Sequence, residues 1–330
     1  ADNSIPQAQL PELDRSNPLL AEWTTPHETA PFSTIELAHY EPAFDAAIAC
    51  SRAEIDAIVN NPKKPSFVNT IVALERQGEL LGRVSGLFFN ILEADATDEM
   101  QEIAQRVQPK LTQLSNDISL NPELFARVKA VYEHPGWCLS SEDKKLLEDT
   151  YKSFARSGAA LSEADKELYR QYTTELSALT LQFGQNSLAA TNAFTLNIID
   201  PARVAELPTF VKETLAADAK ARGQKGWTVT LQAPSYIPFL TYSSDRALKE
   251  QLWRASNSRA LGGAYDNTEV IRKIVDTRLK IANLLGYKNY ADYVLENRMA
   301  ENTPTVQNFL QELLTATKSH ADADYKRVND

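Results

Sequence analysis

Cysteine is nearly absent: the 330 residues contain two, Cys50 and Cys138. That density excludes a disulfide scaffold. Cys50 continues the apolar helix face of Phe44, Ala47 and Ile48 and reads as a small buried hydrophobe; the sequence leaves open whether it pairs with Cys138. No apolar run approaches the ~20 residues that a membrane span needs. Basic residues are outnumbered, 34 Lys and Arg against 44 Asp and Glu, giving a net charge of −10 and a pI of about 5.1, which argues against a nucleic-acid partner. Fixed-period repeats and low-complexity segments are missing, which weighs against an all-helical repeat adaptor. Gly262-Gly263 with Lys249 upstream lacks the spacing of a phosphate loop, and Ser153, Ser157 and Ser187 have no G-x-S-x-G setting. Asp95-Ala96-Thr97-Asp98-Glu99 is acidic but without the spacing and glycine of a calcium loop, and reads as an N-cap run.

What is present is helical. At 43% hydrophobic and 24% charged, with a mean hydropathy of −0.36, the composition is that of a soluble globular protein able to bury a large core. Residues 1–38 carry five prolines and read as an extended arm, tacked down by Asn17-Pro18-Leu19-Leu20 and Trp23. Apolar residues at helical spacing predict helices over 39–60, 69–94, 98–120, 123–133, from Ser140 or Ser141 through 158, 163 to about 188, 208–222, one behind Ser243 and Ser244 that Gly262 and Gly263 end, one marked by Val270 to Leu285, and one from 304 to about 328. In the 69–94 stretch Gly78, Gly82 and Gly86 fall at four-residue spacing. Each costs a helix roughly 1 kcal/mol against Ala, so the ridge predicts close approach of a neighbouring helix.

The chain is organised around 226–300. Trp227, Val229 and Leu231 alternate with Thr228, Thr230 and Gln232, which predicts a strand with one apolar face. A shorter alternation at 193–199 predicts a partner, so a small β element is expected within 193–232. Pro234 and Pro238 then break regular pairing. Ser243 or Ser244 is placed to cap the next helix, with Asp245 at its positive end. Gly286 is placed to end the helix after that, and Tyr287, Tyr290 and Tyr293 follow.

The ordered set NPLL at 17–20, HYEPAF at 39–44, FVNTIVALERQGELLGRV at 67–84, NPELFARVKAVYE at 121–133, SSDRALKEQLWRASNSRA at 243–260, DN at 266–267 and LLGYKNYADYVLENRMA at 284–300 resembles the peptidyl-dipeptidase branch of the thimet-oligopeptidase-like zinc metallopeptidases. The resemblance implies a mainly α fold, one helical lobe of a two-lobed enzyme with a deep channel. It implies a zinc-dependent release of C-terminal dipeptides from short unfolded peptides. The corresponding expectations for domains are an arm over 1–38, a helical lobe over 39–190, and a β element plus helices beginning a second lobe over 191–330.

Such an enzyme needs His-Glu-x-x-His, whose spacing turns both imidazoles to one face of a helix. The chain has four histidines, His27, His39, His134 and His320. His27-Glu28 is followed by Pro31 where the second histidine belongs, and none has a partner four residues on. No catalytic or metal-ligating residue is therefore assigned in this chain. His39 reads as a cap or packing residue, and His320 with Asp324 as a solvated helix end. The expectation is that these residues are the N-terminal part of a longer enzyme, whose zinc is held beyond residue 330 and whose downstream catalytic part is a partner. Some of Ile274, Val275, Ile281, Leu285, Phe309 and Leu313 should then lack cover. The competing class is a non-catalytic helical scaffold or peptide-binding protein without a zinc site. The opening Ala1-Asp2-Asn3-Ser4 has neither Met nor an apolar signal region and suggests an exported, periplasmic protein after signal removal, with a cytoplasmic one as the alternative.

Substrate-channel candidates are Tyr236, Tyr242, Arg254 and Arg259. Arg246, Arg254 and Arg259 admit two readings: ion pairs with Asp245, Glu250 or Asp266, or a channel wall that holds carboxylates. The tyrosines likewise admit core-edge packing or peptide contact.

Overall fold

A computed structural model describes residues 4–330. Helix accounts for 69% of the chain, which settles the class as mainly α. The helices are α1 (Leu37–Val59), α2 (Ala73–Arg76), α3 (Glu79–Asp95), α4 (Asp98–Ser119), α5 (Pro122–Glu133), α6 (Ser141–Arg156), α7 (Glu163–Ala193), α8 (Thr209–Ala221), α9 (Ala233–Tyr242), α10 (Arg246–Asn257), α11 (Thr268–Leu284), α12 (Tyr290–Leu295) and α13 (Thr303–Asn329). The strands β1 (Thr195–Ile198) and β2 (Trp227–Thr230) pair antiparallel, with Leu196 opposite Val229. The chain forms two compact units: one runs to Ser177 and resumes over Asp276–Asp330, and the other is Ala178–Val275.

In the first unit Phe44 of α1 and Phe88 of α3 meet edge to face at 5.4 Å, with Tyr40 against Phe88 at 5.0 Å. A second apolar cluster joins Ile55 and Ile58 of α1 to Ile71, to Leu124 and Val128 of α5, and to Leu147 and Phe154 of α6. The arm is held by burial of Leu19 and Leu20, by Asn17 Nδ2 donating to the His39 carbonyl, and by Arg83, which lies over the Trp23 ring at 4.6 Å. His39 has a capping role: its Nδ1 accepts the Glu36 N–H at 2.8 Å.

The expected helix over 69–94 is three pieces. Ser66 caps a π-helical segment, Phe67–Val72, in a reciprocal pair with buried Asn69. The chain then breaks at Gln77 and Gly78, where Gly78 takes φ +76° and donates its N–H to Glu54 Oε2. The glycine ridge is not a close helix–helix seam: at Gly78 a Cβ would meet only Ser51 Oγ of α1, at 3.9 Å. Nothing lies within 4 Å of where a Cβ at Gly82 or Gly86 would sit, and Gly78 and Gly82 border an open groove of about 470 Å³ lined by Ser51, Ser85 and Ser115. The thiols do not pair: Cys50 is buried on α1 and Cys138 is exposed ahead of α6.

In the second unit Leu196, Val211, Leu215, Val229, Phe239, Leu248 and Leu252 share one core. The strand β2 does not have a single apolar face, because Thr228 and Thr230 are buried with Val229. α8 and α9 both pack on it, and the buried hydroxyls are satisfied locally: Thr228 Oγ1 donates to Gln224 Oε1 at 2.7 Å and Thr230 Oγ1 accepts the Gln232 N–H. Gly226 precedes β2 at φ +79°, and a Cβ there would stand 2.2 Å from the Ile198 carbonyl oxygen. Pro234 and Pro238, expected to break strand pairing, lie beyond the end of β2, inside α9. Pro234 sits in the first turn, where its missing N–H is one that a helix leaves unpaired anyway. Full burial of Phe239 holds the remainder of the helix.

The last helix, α13, has no buried residue. Phe309, Leu310, Leu313 and Leu314 are each 44% exposed or more, and with half-buried Val306 they recur at i, i+3, i+4, i+7 and i+8, a continuous apolar stripe. Of the six side chains expected not all to find cover, Ile274 and Ile281 are buried, Leu285 is half-buried, and Val275, Phe309 and Leu313 are exposed.

Candidate functional site

In the second unit, Leu240 of α9 and Arg246, Lys249, Glu250, Trp253 and Arg254 of α10 line a groove of about 520 Å³. The α10 residues fall at i, i+3, i+4, i+7 and i+8, which is one face of a helix. The opposite face, Leu248 and Leu252, is buried in the core and fixes which way the groove residues point. The helix begins at Asp245, not at a serine: Asp245 Oδ1 accepts the Leu248 N–H at 3.0 Å, while Ser243 Oγ accepts the Asp245 N–H.

The carboxylates of Asp245, Glu206 and Asp266, none of which lines the groove, are engaged elsewhere. Asp245 Oδ2 accepts from Arg203 Nε at 2.6 Å; this bond, with the Leu248 N–H, holds the Asp245 carboxyl below its ordinary range and the Arg203 guanidinium above its own. Glu206 accepts from the Ser244 N–H and hydroxyl, which likewise lowers it. Asp266 accepts from the Gly262 and Thr268 N–H groups and the Thr268 hydroxyl, and lies below its ordinary range for that reason. Glu250 alone faces the groove, paired with Arg254 at 2.8 Å. Among the described residues, Arg246 and Lys249 have no carboxylate within ion-pair distance, and the indole N–H of Trp253, 53% exposed, has no acceptor.

Of the candidates from sequence, Arg254 lies in this groove and the other three do not line it. Tyr236 is half-buried against the core. Tyr242 ends α9 with its ring edge-on to Phe210 at 6.1 Å. Arg259 lies past the end of α10 and donates to Thr191 Oγ1 and the Ser256 carbonyl. Lys249, Trp253 and Leu240 were missed as groove residues; the helical spacing from Arg246 was the signal for the first two. The tyrosines after Gly286 serve packing. Arg156 lies over Tyr293 at 4.6 Å and Tyr287 at 5.9 Å, donates to the Tyr293 carbonyl and Tyr287 hydroxyl, and pairs with Glu296.

The donor set does not fit a metal. Among the described residues, no three His, Cys, Asp or Glu side chains are grouped so as to hold an ion. No helix among those residues is long and apolar enough to cross a membrane.

A helical chain with one two-stranded sheet and a cationic surface groove matches known proteolytic enzymes along nearly all its length. The family model for peptidase family M3 matches residues 239–330, which include the groove helix. The chain is 38% identical to a dipeptidyl carboxypeptidase of Escherichia coli strain K12 over 94% of its own length and 46% of that protein. It is 36% identical to a dipeptidyl carboxypeptidase of Salmonella typhimurium, covering 90% and 44% of the two chains. With oligopeptidase A of Salmonella typhimurium it shares 30% identity over 95% and 46%. The chain belongs to peptidase family M3. It spans about half the length of the curated relatives it matches.

Proposed function

We propose that these residues are the N-terminal part of a zinc-dependent peptidyl-dipeptidase that releases C-terminal dipeptides from short unfolded peptides. The observation that carries this reading is the 38% identity to a dipeptidyl carboxypeptidase across 94% of the chain. In that reading zinc is held by residues outside this chain, and when bound it supplies an activated water. This chain binds and orients peptide: the α10 groove offers cations and an exposed indole to a peptide lying against it. The apolar stripe of α13 supports the reading, because it is a surface that further chain would cover.

The competing reading, a non-catalytic scaffold, rests on the lack, among the described residues, of a His, Cys, Asp or Glu group arranged to hold a metal. Zinc content separates the two. The longer polypeptide that includes these residues should carry about one zinc per chain, and its peptidase activity should fall on chelation and return on adding zinc. A longer polypeptide that folds, binds no zinc and cleaves nothing would establish the scaffold reading instead.

A further inference from the structure

We infer that the α10 groove is a subsite for acidic peptide segments, engaging a peptide carboxylate through Arg246 and Lys249 and an adjacent apolar side chain through Trp253. The inference deepens the peptidase reading and rests on it only in calling that peptide a substrate.

The chain carries a net charge of −10, yet the groove lining holds three cations and one carboxylate, a local excess of two positive charges. That one carboxylate is paired with Arg254. Asp245, next to Arg246 in sequence, is held by Arg203, and Glu206 accepts from Ser244 while also feeling the charge of Lys249. Neither Arg246 nor Lys249 makes an ion pair among the described residues, and Lys249 has only the more distant charge of Glu206, so both can engage an outside anion. A surface cation of an acidic protein is ordinarily neutralised by its own neighbours; here the neighbours are committed to capping α10 and to the loop before it.

The shape argument is independent of charge. Arg246 and Trp253 are seven residues apart on one helix face, about 10 Å at 1.5 Å per residue. That is the length of about three residues of extended peptide. Trp253 presents a half-exposed ring and a free N–H donor beside Leu240, the combination that anchors a peptide side chain while donating to its backbone carbonyl. Arg246 and Lys249 lie one turn apart at the other end. The groove thus fits a short extended segment in which a Glu or Asp stands two or three positions from an apolar residue. An open groove with flexible cations does not impose a unique sequence, so preference and not strict selection is expected.

The test is peptide binding to the 330-residue chain, followed by fluorescence anisotropy at low salt. The probes are a labelled, N-acetylated hexapeptide with glutamates two and three positions from a phenylalanine, its twin with lysines for the glutamates, and a labelled single-stranded oligonucleotide of similar length. The glutamate peptide should bind roughly fivefold or more tighter than its lysine twin, with the difference shrinking as salt is raised. R246E/K249E should abolish or reverse the preference. Trp253→Ala should weaken both peptides alike and leave their ratio unchanged. These side chains lie on the groove face of α10, and unchanged circular dichroism of each variant checks that the fold is retained. Equal binding of both peptides, no binding of either, an unaltered ratio in R246E/K249E, or oligonucleotide binding as tight as that of the glutamate peptide would each overturn the inference. None of these outcomes touches the peptidase reading, which is decided by zinc content and by cleavage of uncharged substrates.

Discussion

Arg203 Nε donates to Asp245 Oδ2 at 2.6 Å, and the other oxygen of the same carboxylate accepts the Leu248 N–H at 3.0 Å. One side chain thus caps α10 and ties it to a residue 42 positions earlier. Asp245→Ala should destabilise the protein by about 1–2 kcal/mol through loss of the cap, and Asp245→Asn by less, since an amide oxygen still caps. The arginine bond and the cap lower the Asp245 pKa. Its stabilising contribution is therefore complete above the unfolded value of about 3.9 and is lost as pH falls through the lower folded value. Urea midpoints at pH 7 and pH 3 check both points: the wild-type advantage over Asp245→Asn should shrink at the lower pH.

Tyr169 titrates in the opposite direction. Burial pushes its phenol up to about 12. Between the unfolded value of about 10 and that folded value, the unfolded chain holds fewer protons than the native one, so stability falls as pH rises. The loss should be on the order of 2 kcal/mol by pH 12. Tyr169→Phe should remove that alkaline loss, since phenylalanine has no phenol to ionise. Stability measured from pH 8 to 12 on both proteins tests this.

Two glycines should respond to alanine with opposite signs. At Gly226 a Cβ would stand 2.2 Å from the Ile198 carbonyl oxygen, on a backbone at φ +79°. Gly226→Ala should cost more than about 2 kcal/mol, the left-handed penalty plus displacement of β1. Gly82 lies inside α3 with nothing within 4 Å of its Cβ position, and Gly82→Ala should stabilise by up to about 1 kcal/mol. Thermal melts of the two variants decide it.

The thiols should react one at a time. Cys138 is exposed, whereas Cys50 is buried and burial pushes its pKa up, so it is short of the reactive thiolate. An aromatic disulfide reagent should label one thiol per chain rapidly in buffer and the second only in denaturant. Rapid labelling of both, or of neither, would contradict the placement.

Much of the fold was legible because helical periodicity is local. Leu248 and Leu252 mark the buried face of α10, and Asn121-Pro122 marks the start of α5, from a few neighbouring residues each. The failures are decided at a distance. The break at Gly78 is held by Glu54, 24 residues earlier. Thr228 and Thr230 are buried because α8 and α9 cover β2, which no alternation within the strand reveals. The site follows the same division. Arg246, Lys249 and Trp253 share a face by spacing alone. That Arg246 lacks a carboxylate follows from Arg203 holding Asp245, and that Arg259 lies outside the groove follows from α10 ending at Asn257.

The most direct test of the central claim is the product of cleavage. The longer polypeptide containing these residues should be incubated with zinc and a pentapeptide of uncharged side chains, blocked at its N-terminus and free at its C-terminus, with the products identified by mass spectrometry. The account predicts release of the C-terminal dipeptide, and loss of that release when the peptide's C-terminus is amidated. Release of single residues, cleavage only at internal bonds irrespective of the C-terminus, or an intact peptide would contradict it.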